Sequence, residues 1–259
     1  MNRISRFRFN CQIGMKIIIT ITVLIFTSLQ IFSQYKMRSV DELINRKDPG
    51  WTIVMKWIDS AKNKVEVMPV DTFKSREALY KTQVTTRSIM GAIVYSTGGI
   101  LIDNGWIRIL GSGCSKLKRT LPDWNIGKAF NKFGERPAFF LVADDAAGGF
   151  YAINYGNFGK DLDNIYYLSP VDLKWEPMNM NYEDFIWFCF TGDLNNFYSG
   201  IRWKSWKKDI RTIKGDEVYN MVPPLWSKEG KDVEKSLKAP VPVEEQFSYN
   251  IQFQKQMGL

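Results

Sequence analysis

Two adjacent carboxylates, Asp144 and Asp145, follow an apolar run that begins at Phe139. Adjacent carboxylates can coordinate a hard cation or act as general acid and base. The next residues are Ala-Ala-Gly-Gly, which favour a hairpin turn because Asp and Gly supply turn hydrogen bonds and permissive backbone angles. We therefore interpret the pair first as turn residues, with binding or catalysis as the alternative. Glycoside hydrolysis would need a second carboxylate across a cleft, and the sequence alone does not determine whether Glu176 or Asp103 lies opposite the pair.

The chain contains no histidine, and this absence excludes whole classes of enzyme. Serine hydrolases and papain-like thiol enzymes need an imidazole to activate the nucleophile. Zinc hydrolases use histidine ligands, and the two cysteines after residue 34 are too few for a structural thiolate site. Walker-loop and EF-hand patterns are also absent from the sequence. We expect no metal and no cofactor and assign no catalytic residue, while carboxylate-, tyrosine- or lysine-based enzymes stay open.

The two later cysteines allow a different kind of chemistry. Cys114 ends a Gly-Ser-Gly-Cys stretch, which is weak evidence for a phosphate loop because the third glycine of a dinucleotide fingerprint is missing. A disulfide between Cys114 and Cys189 is possible in an oxidising compartment. The alternative is a free thiol, since Cys189 lies on an apolar helix face where a buried cysteine is equally natural.

Aromatic residues are numerous, with nine tryptophans and eleven tyrosines. They could line a sugar-binding groove by stacking, although most such residues fill cores. Trp106, just after an Asn-Gly turn, and Trp124, in a polar loop, are the better candidates for exposure. The basic run from Lys204 to Arg211 is interpreted as a solvated helix face. The candidate binding residues are Arg87, Trp106, Trp124, Asp144 and Asp145.

The charge distribution argues against a nucleic-acid partner. The formal net charge is +8, but four of the cations lie in the first 33 residues, which contain no acid: Arg3, Arg6, Arg8 and Lys16. The remainder carries only +4, spread along the chain. A nucleic-acid binder concentrates Lys and Arg on one face, so we expect no nucleic-acid partner. The partner is unknown, and the candidates are a protein and a glycan.

The N-terminal segment has the form of a secretory signal. Sixteen uncharged residues, 17–32, follow Lys16 and precede a polar stretch, and cleavage after Ser33 suits the small-residue rule. A bilayer-spanning helix needs about 20 predominantly apolar residues, so an uncleaved membrane anchor is the weaker alternative. We expect a signal peptide over residues 1–34 and one domain over 35–259. The protein would then be periplasmic or secreted, with no stable membrane span after cleavage.

Helical patterns flank the middle of the chain. Ser39 and Glu42 form a capping box, and Asp48-Pro49 predicts the start of an amphipathic helix. A further helix is expected from Asp71 or Thr72 to about Gln83. After Asn181 the helical period returns in two helices, the second carrying apolar residues from Phe197 to Ile213. A loop-rich tail and a short helix over residues 244–257 follow.

The central part has the period of strands. We expect strands at 89–97, 100–103 and 106–110, with Asn104-Gly105 as the strongest hairpin signal. Residues 139–143 and 150–154 predict a second hairpin, and 164–169 with 174–177 a further pair. The resulting fold class is α+β, with a central antiparallel sheet of about six strands flanked by N-terminal and C-terminal helices.

Seven stretches resemble a bacterial family catalogued only as domain of unknown function 2625, and the resemblance runs nearly end to end. They are MRSVDELIN, QVTTRS, GAIVYSTGGILIDNGWIRILGSG, LVADDAAGGFYAIN, NIYYLSPVDLKWEP, TGDLNNFYSGIRW and LWSKEGKD. The family carries no established activity. In the family, histidine often follows GSG, where this chain has Cys114, so that position is no obligatory imidazole. A looser, fold-level similarity to the SUKH immunity-protein superfamily would imply a scaffold that neutralises toxins or docks partners.

Two functions follow as competing hypotheses. The first is a non-catalytic binding module, because the chain has ample aromatic surface and no assembled catalytic set. The second is a carboxylate-dependent enzyme acting on envelope glycans, with Asp144 and Asp145 as the acids.

Overall fold

A seven-stranded antiparallel sheet runs through the part of the chain that the computed structural model describes, residues 36–259. The predicted signal segment, residues 1–34, lies outside the described residues. Each strand pairs with the next one along the chain. The strands are β1 (Val65–Val67), β2 (Gly99–Ile102), β3 (Ile107–Leu110), β4 (Phe139–Asp145), β5 (Phe150–Asn154), β6 (Asn164–Leu168) and β7 (Trp175–Asn181).

Helices precede, interrupt and follow the strands of this sheet, as an α+β fold allows. Those preceding β2 are α1 (Val40–Leu43), α2 (Trp51–Asp59), α3 (Thr72–Thr82) and α4 (Ile89–Ser96), and α5 (Leu121–Asn125) lies between β3 and β4. Those following β7 are α6 (Tyr182–Thr191), α7 (Leu194–Phe197), α8 (Trp206–Asp209) and α9 (Val243–Met257). The predicted fold class is confirmed, and the sheet has one strand more than expected.

The helix starts predicted at Ser39 and at Asp71 or Thr72 are confirmed. The backbone N of Ser39 donates to Glu42 Oε2 at 2.7 Å, which is the capping box at the start of α1. The Asp71 carboxylate accepts from the backbone N of Phe73 at 3.0 Å and so caps α3. Helix α2 begins later than Asp48-Pro49 predicted, because Gly50 occupies the capping position. Local hydrogen-bonding chemistry thus fixes where these helices begin.

The strand expected at 89–97 is wrong, since Ile89–Ser96 forms helix α4. Ser88 caps it by accepting from the backbone N of Gly91 at 3.1 Å, and six of its eight residues are buried. A short helix that is apolar on all sides has no amphipathic period to distinguish it from a buried strand. The seven strands of the sheet include β1, which the sequence did not predict because its three residues are too few to show alternation.

The Asn-Gly hairpin is confirmed between β2 and β3. Asp103, Asn104 and Gly105 all have positive φ, at 50°, 63° and 96°, and form a short 3-10 turn. Gly105 and Asn104 tolerate this backbone region far better than bulky residues do. The hairpin of β4 and β5 and the pair of β6 and β7 are also present as predicted.

The C-terminal third departs from the predicted pattern. Residues 194–213 contain the short helices α7 and α8 rather than one continuous helix. The expected loop-rich tail contains a second antiparallel sheet made of β8 (Glu217–Val222) and β9 (Leu237–Pro242). Pro240 and Pro242 lie in β9, which has a free edge where a missing N–H is tolerated. The terminal helix, expected at 244–257, begins one residue earlier at Val243.

One row of directly paired residues crosses all seven strands and will be called the central row. Its members are Glu66, Leu101, Arg108, Asp144, Phe150, Leu168 and Trp175. Directly opposed residues of antiparallel strands project to the same side of a sheet. Helix α9 covers the middle of the row, where the rings of Phe247 and Phe150 are 4.9 Å apart. The opposite face carries Tyr151, which packs on Phe185 of α6 with ring centroids 4.8 Å apart.

Candidate functional site

Asp144 and Asp145 lie inside the protein rather than at a turn tip, and both are fully buried at the end of β4. The turn interpretation is right for Asp145 in one respect. Its Oδ1 accepts from the backbone N of Ala147 at 2.9 Å and of Gly149 at 3.0 Å, so the side chain closes the β4–β5 turn. The interpretation is wrong for Asp144, because that residue pairs within the sheet with Arg108 on β3.

The Asp144 carboxylate joins two guanidinium groups. Arg108 Nε donates to Asp144 Oδ1 at 2.5 Å, and Arg119 Nη1 donates to Asp144 Oδ2 at 2.5 Å. Arg108 also donates to the backbone carbonyls of Asp145 at 2.9 Å and Glu217 at 2.5 Å. Removing one member of a buried ion pair leaves an uncompensated charge, so the three side chains depend on one another.

Arg119 extends this ion-pair cluster to the C-terminal segment. Its Nε donates to Asp216 Oδ1 at 2.9 Å, and its Nη2 donates to the carbonyl of Gly215 at 3.2 Å. Burial opposes the charge on Arg119, but the carboxylates of Asp144 and Asp216 raise its pKa overall. Two arginines are therefore matched by two carboxylates. The cluster fastens the segment before β8 to the sheet.

Asp145 belongs to a second buried group, which contains three tyrosines. The Tyr167 hydroxyl donates to Asp145 Oδ2 at 2.7 Å, and the hydroxyls of Tyr151 and Tyr198 bond to each other. Burial raises the pKa of Asp145, and it raises the pKa of all three tyrosines well above the ordinary value. These hydroxyls remain protonated at neutral pH. A substrate cannot reach this group, because Asp145, Tyr151 and Tyr198 are fully buried.

Trp106 and Trp124 were expected to be exposed, and that expectation is wrong. Trp106 is 0 % exposed and packs against Trp203 and Trp206, with Arg202 5.0 Å from its ring centroid. Trp124 is 3 % exposed, with Arg119 at 4.6 Å and Lys128 at 4.1 Å from its ring centroid. The Trp106 ring is buried by residues far away in sequence, and the Trp124 ring also packs on Phe247 of α9, with ring centroids 6.0 Å apart.

The other candidate side chains lie apart from the buried carboxylates. Arg87 is exposed, and its Nε is 3.6 Å from Asp48 Oδ2. Cys114 and Cys189 are both buried and carry free thiols. Burial raises the pKa of Cys189 well above the ordinary thiol value, which keeps it in the unreactive thiol form.

A large groove lies between α9 and the β7 edge of the sheet, and none of the candidate residues lines it. Its volume is about 1180 Å³. Aromatic and aliphatic side chains form part of its lining: Phe139, Phe158, Trp175, Phe247, Ile251 and Leu259. Amide and hydroxyl side chains add polar groups: Asn157, Ser248, Gln252, Gln254 and Gln256. The charged lining residues are Lys128, Lys174, Glu244 and Lys255.

The groove is built on an aromatic stack at the end of the central row. The rings of Phe158 and Trp175 are stacked with centroids 4.5 Å apart, and Phe139 lies 5.4 Å from Phe158. Lys128 Nζ is 2.9 Å from Glu244 Oε2, so the one carboxylate of the lining is paired. The sequence could have identified Trp175, because this residue begins a strand that carries Pro177, and proline is typical of an edge strand. The depth of the groove and the rest of its lining depend on the packing of α9 over the sheet, which the sequence did not predict.

Comparison with known proteins places the chain in a family. Residues 40–246 match the family described as protein of unknown function DUF2625. The chain belongs to this family. The match covers most of the sequence, so the resemblance inferred from the seven sequence stretches is confirmed.

Two relatives of the DUF2625 chain have similar length and carry no assigned activity. An uncharacterized protein of Haemophilus influenzae is 39% identical over 214 residues, covering 83% of this chain and 94% of the relative. The putative uncharacterized protein YbfG of Escherichia coli is 39% identical over 190 residues, covering 73% of this chain and 86% of the relative. No solved structure matches the chain. The fold-level similarity to SUKH immunity proteins therefore stays an expectation.

Two features are absent from residues 36–259. None of the helices in that range is both long and apolar enough to cross a bilayer. In the same range, no group of three or more acidic or cysteine side chains is arranged to hold a metal ion.

The two aspartates should respond differently to the same substitution. Asp144→Asn leaves two buried arginines undercompensated and should lower the free energy of unfolding by roughly 3–5 kcal/mol. Asp145→Asn keeps the oxygen that closes the turn, and its amide can donate to the Tyr167 hydroxyl, so we expect a smaller loss of about 1–3 kcal/mol. Urea unfolding followed by circular dichroism measures both. Equal losses would contradict the assignment of Asp144 as the central counter-ion.

The stability contributed by Asp145 should also depend on pH. Burial raises the pKa of Asp145 in the folded protein above the ordinary 3.8. The stability that its protonated form contributes is therefore fully present below the unfolded pKa. That contribution is lost as pH rises through the folded pKa. Wild type should therefore lose stability relative to Asp145→Asn as pH increases above 3.8. Urea titrations of both proteins across pH test this, and a gain of wild-type stability with rising pH would show the opposite shift.

Proposed function

We propose that this protein is an exported, non-catalytic binding module that holds an oligosaccharide in the groove beside α9. The observation that carries the proposal is the lining of that groove, where stacked aromatic rings adjoin several side-chain amides. Its volume of about 1180 Å³ is larger than typical small-molecule pockets, which hold roughly 300–1,000 Å³. An extended chain of a few sugar units fits such a space better than a single metabolite.

A sugar matches the chemistry of this lining. The C–H faces of pyranose rings pack on aromatic surfaces, and Trp175 offers the largest ring in the groove. Side-chain amides both donate and accept hydrogen bonds, which suits hydroxyl groups that do the same. Gln252 and Gln256 are exposed on α9 and supply such amides. Gln254 is less available, because it already donates to the carbonyl of Leu173 at 3.0 Å.

The carboxylates favour binding over turnover. Glycosidases of the common kind use two carboxyl groups that flank the scissile bond. The groove is lined by one, Glu244, which is paired with Lys128. Asp144 and Asp145, the acids of the enzymatic hypothesis, are fully buried and bonded to other groups. These features support a module that holds its ligand unchanged.

The test of the groove is Trp175→Ala, with Trp187→Ala as the matched control. Trp187 is a half-exposed tryptophan on α6 that does not line the groove. We expect Trp175→Ala to weaken binding of an envelope oligosaccharide by about tenfold or more, because an aromatic anchor is lost. Isothermal titration with ligands from a glycan array measures this, and Trp187→Ala should bind as wild type does.

Three outcomes would contradict the proposal. The first is that the wild-type protein binds no glycan and instead binds a folded protein at the groove. The second is equal weakening by the two tryptophan variants. The third is release of reducing ends from a bound glycan by wild type and not by Glu244→Gln, which would establish the enzymatic alternative.

Export rests on the sequence between Lys16 and Ser33 and needs its own experiment. Fractionation of expressing cells, followed by mass spectrometry, should find a shortened chain in the periplasm or medium, beginning near residue 34. Replacing two apolar residues of the core by arginine, Val23→Arg with Phe26→Arg, should retain the chain inside the cell. Intact wild-type chain in the soluble cytosol would contradict export.

A further inference from the structure

A second concave site lies at the opposite end of the central row from the groove. It has a volume of about 380 Å³ and includes Glu66, Leu101 and Arg108 of that row. Residues 210–215, between α8 and β8, form much of the other wall. We call this site the β1-edge pocket. It shares no lining residue with the groove, so conclusions about it are independent of the proposed function.

The β1-edge pocket has a strong excess of positive charge. Five of its lining residues are cations: Lys64, Arg108, Lys116, Arg211 and Lys214. Glu66 is the one acid among the lining residues, which leaves a formal charge of +4. The whole sequence beyond the signal segment carries only +4, so this concentration of positive charge is local.

Some of these cations are already matched by carboxylates. Lys116 Nζ is 2.9 Å from Glu66 Oε1, and Lys214 Nζ is 3.2 Å from Glu217 Oε1. Arg108 is held by Asp144 within the buried ion-pair cluster. The positive charge of the pocket that no carboxylate balances therefore comes from its two remaining cations.

Lys64 and Arg211 are the unmatched cations. Lys64 Nζ donates to Asn104 Oδ1 at 2.7 Å, and the amide of Asn104 is uncharged. The Arg211 side chain is exposed and makes no ion pair or side-chain hydrogen bond within residues 36–259. Two positive charges therefore face a recessed space without a counter-ion.

Arg108 gives the pocket a rigid wall. Its side chain is 1 % exposed and is bonded to Asp144 and to the carbonyls of Asp145 and Glu217. The wall is thus fixed by the sheet, while the exposed cations at the mouth can adjust to a ligand. Preorganised walls reduce the entropy lost on binding.

We infer that the β1-edge pocket binds the phosphate group of a soluble phosphate ester. A phosphate monoester carries about two negative charges at neutral pH, which matches the two unmatched cations. Guanidinium and ammonium groups form strong, charge-assisted hydrogen bonds with phosphate oxygens. A volume of about 380 Å³ leaves room for the organic part of a small ester beside the phosphate. The recess favours a soluble ester over the flat surface of a membrane.

The test compares two double variants that remove the same charges. The pocket variant is Lys64→Gln with Arg211→Gln, and the control is Lys47→Gln with Arg46→Gln, two exposed residues outside the pocket. Isothermal titration with inorganic phosphate and with glycerol 3-phosphate should show one site on the wild-type chain. The pocket variant should bind both probes about tenfold or more weakly, and the control should bind as wild type.

Each contrary result would overturn the inference. Absence of binding by wild type to either probe at millimolar concentration would do so. Equal weakening in both double variants would indicate general surface electrostatics rather than a site. Tighter binding to vesicles of phosphatidylglycerol than to soluble probes, lost in the pocket variant, would assign the cations to a membrane surface. Circular dichroism of both variants verifies that they are folded, because none of the four side chains is buried.

Discussion

The carboxylate of Asp144 lies in the middle of the sheet and bonds two guanidinium groups that arrive from different directions. Arg108 comes from the neighbouring strand, and Arg119 comes from the segment before α5. Through them the sheet contacts Asp216 and the carbonyl of Glu217, so the β8–β9 sheet is fastened to the main one. Buried ion pairs add little net stability, yet they strongly penalise any arrangement that separates them. Asp144 therefore acts mainly by specifying one packing arrangement.

Two concave sites lie at the two ends of the central row. The central row is covered in its middle by α9, so its two ends remain open beside the outermost strands. At one end Trp175 contributes aromatic surface to the groove, and at the other Glu66 and Arg108 contribute charge to the β1-edge pocket. A single face of one sheet thus offers two sites of contrasting chemistry. Their separation along the row allows each to be altered without touching the other.

The carboxylates and tyrosines that could do chemistry are used for structure. Asp145 closes a turn and accepts from Tyr167, while Tyr151 and Tyr198 bond to each other in the core. Buried polar groups specify a unique core when all of them are bonded, and they are costly when they are not. The lack of histidine is consistent with this use of the polar residues. The surface of the DUF2625 domain is then where ligands are to be sought.

The sequence by itself determined the fold class, the Ser39 and Asp71 helix starts and the hairpin at Asn104-Gly105, because caps and turns are set by hydrogen bonds between near neighbours. It also determined which histidine-dependent chemistries are excluded. Only the tertiary structure decided that Ile89–Ser96 is a helix and that Trp106 and Asp144 are buried. Helix α4 packs on α2, α3 and α6, while Trp106 packs on residues 198–206 and Arg108, the partner of Asp144, bonds to Glu217. Local periodicity carries no information about partners so distant in the chain.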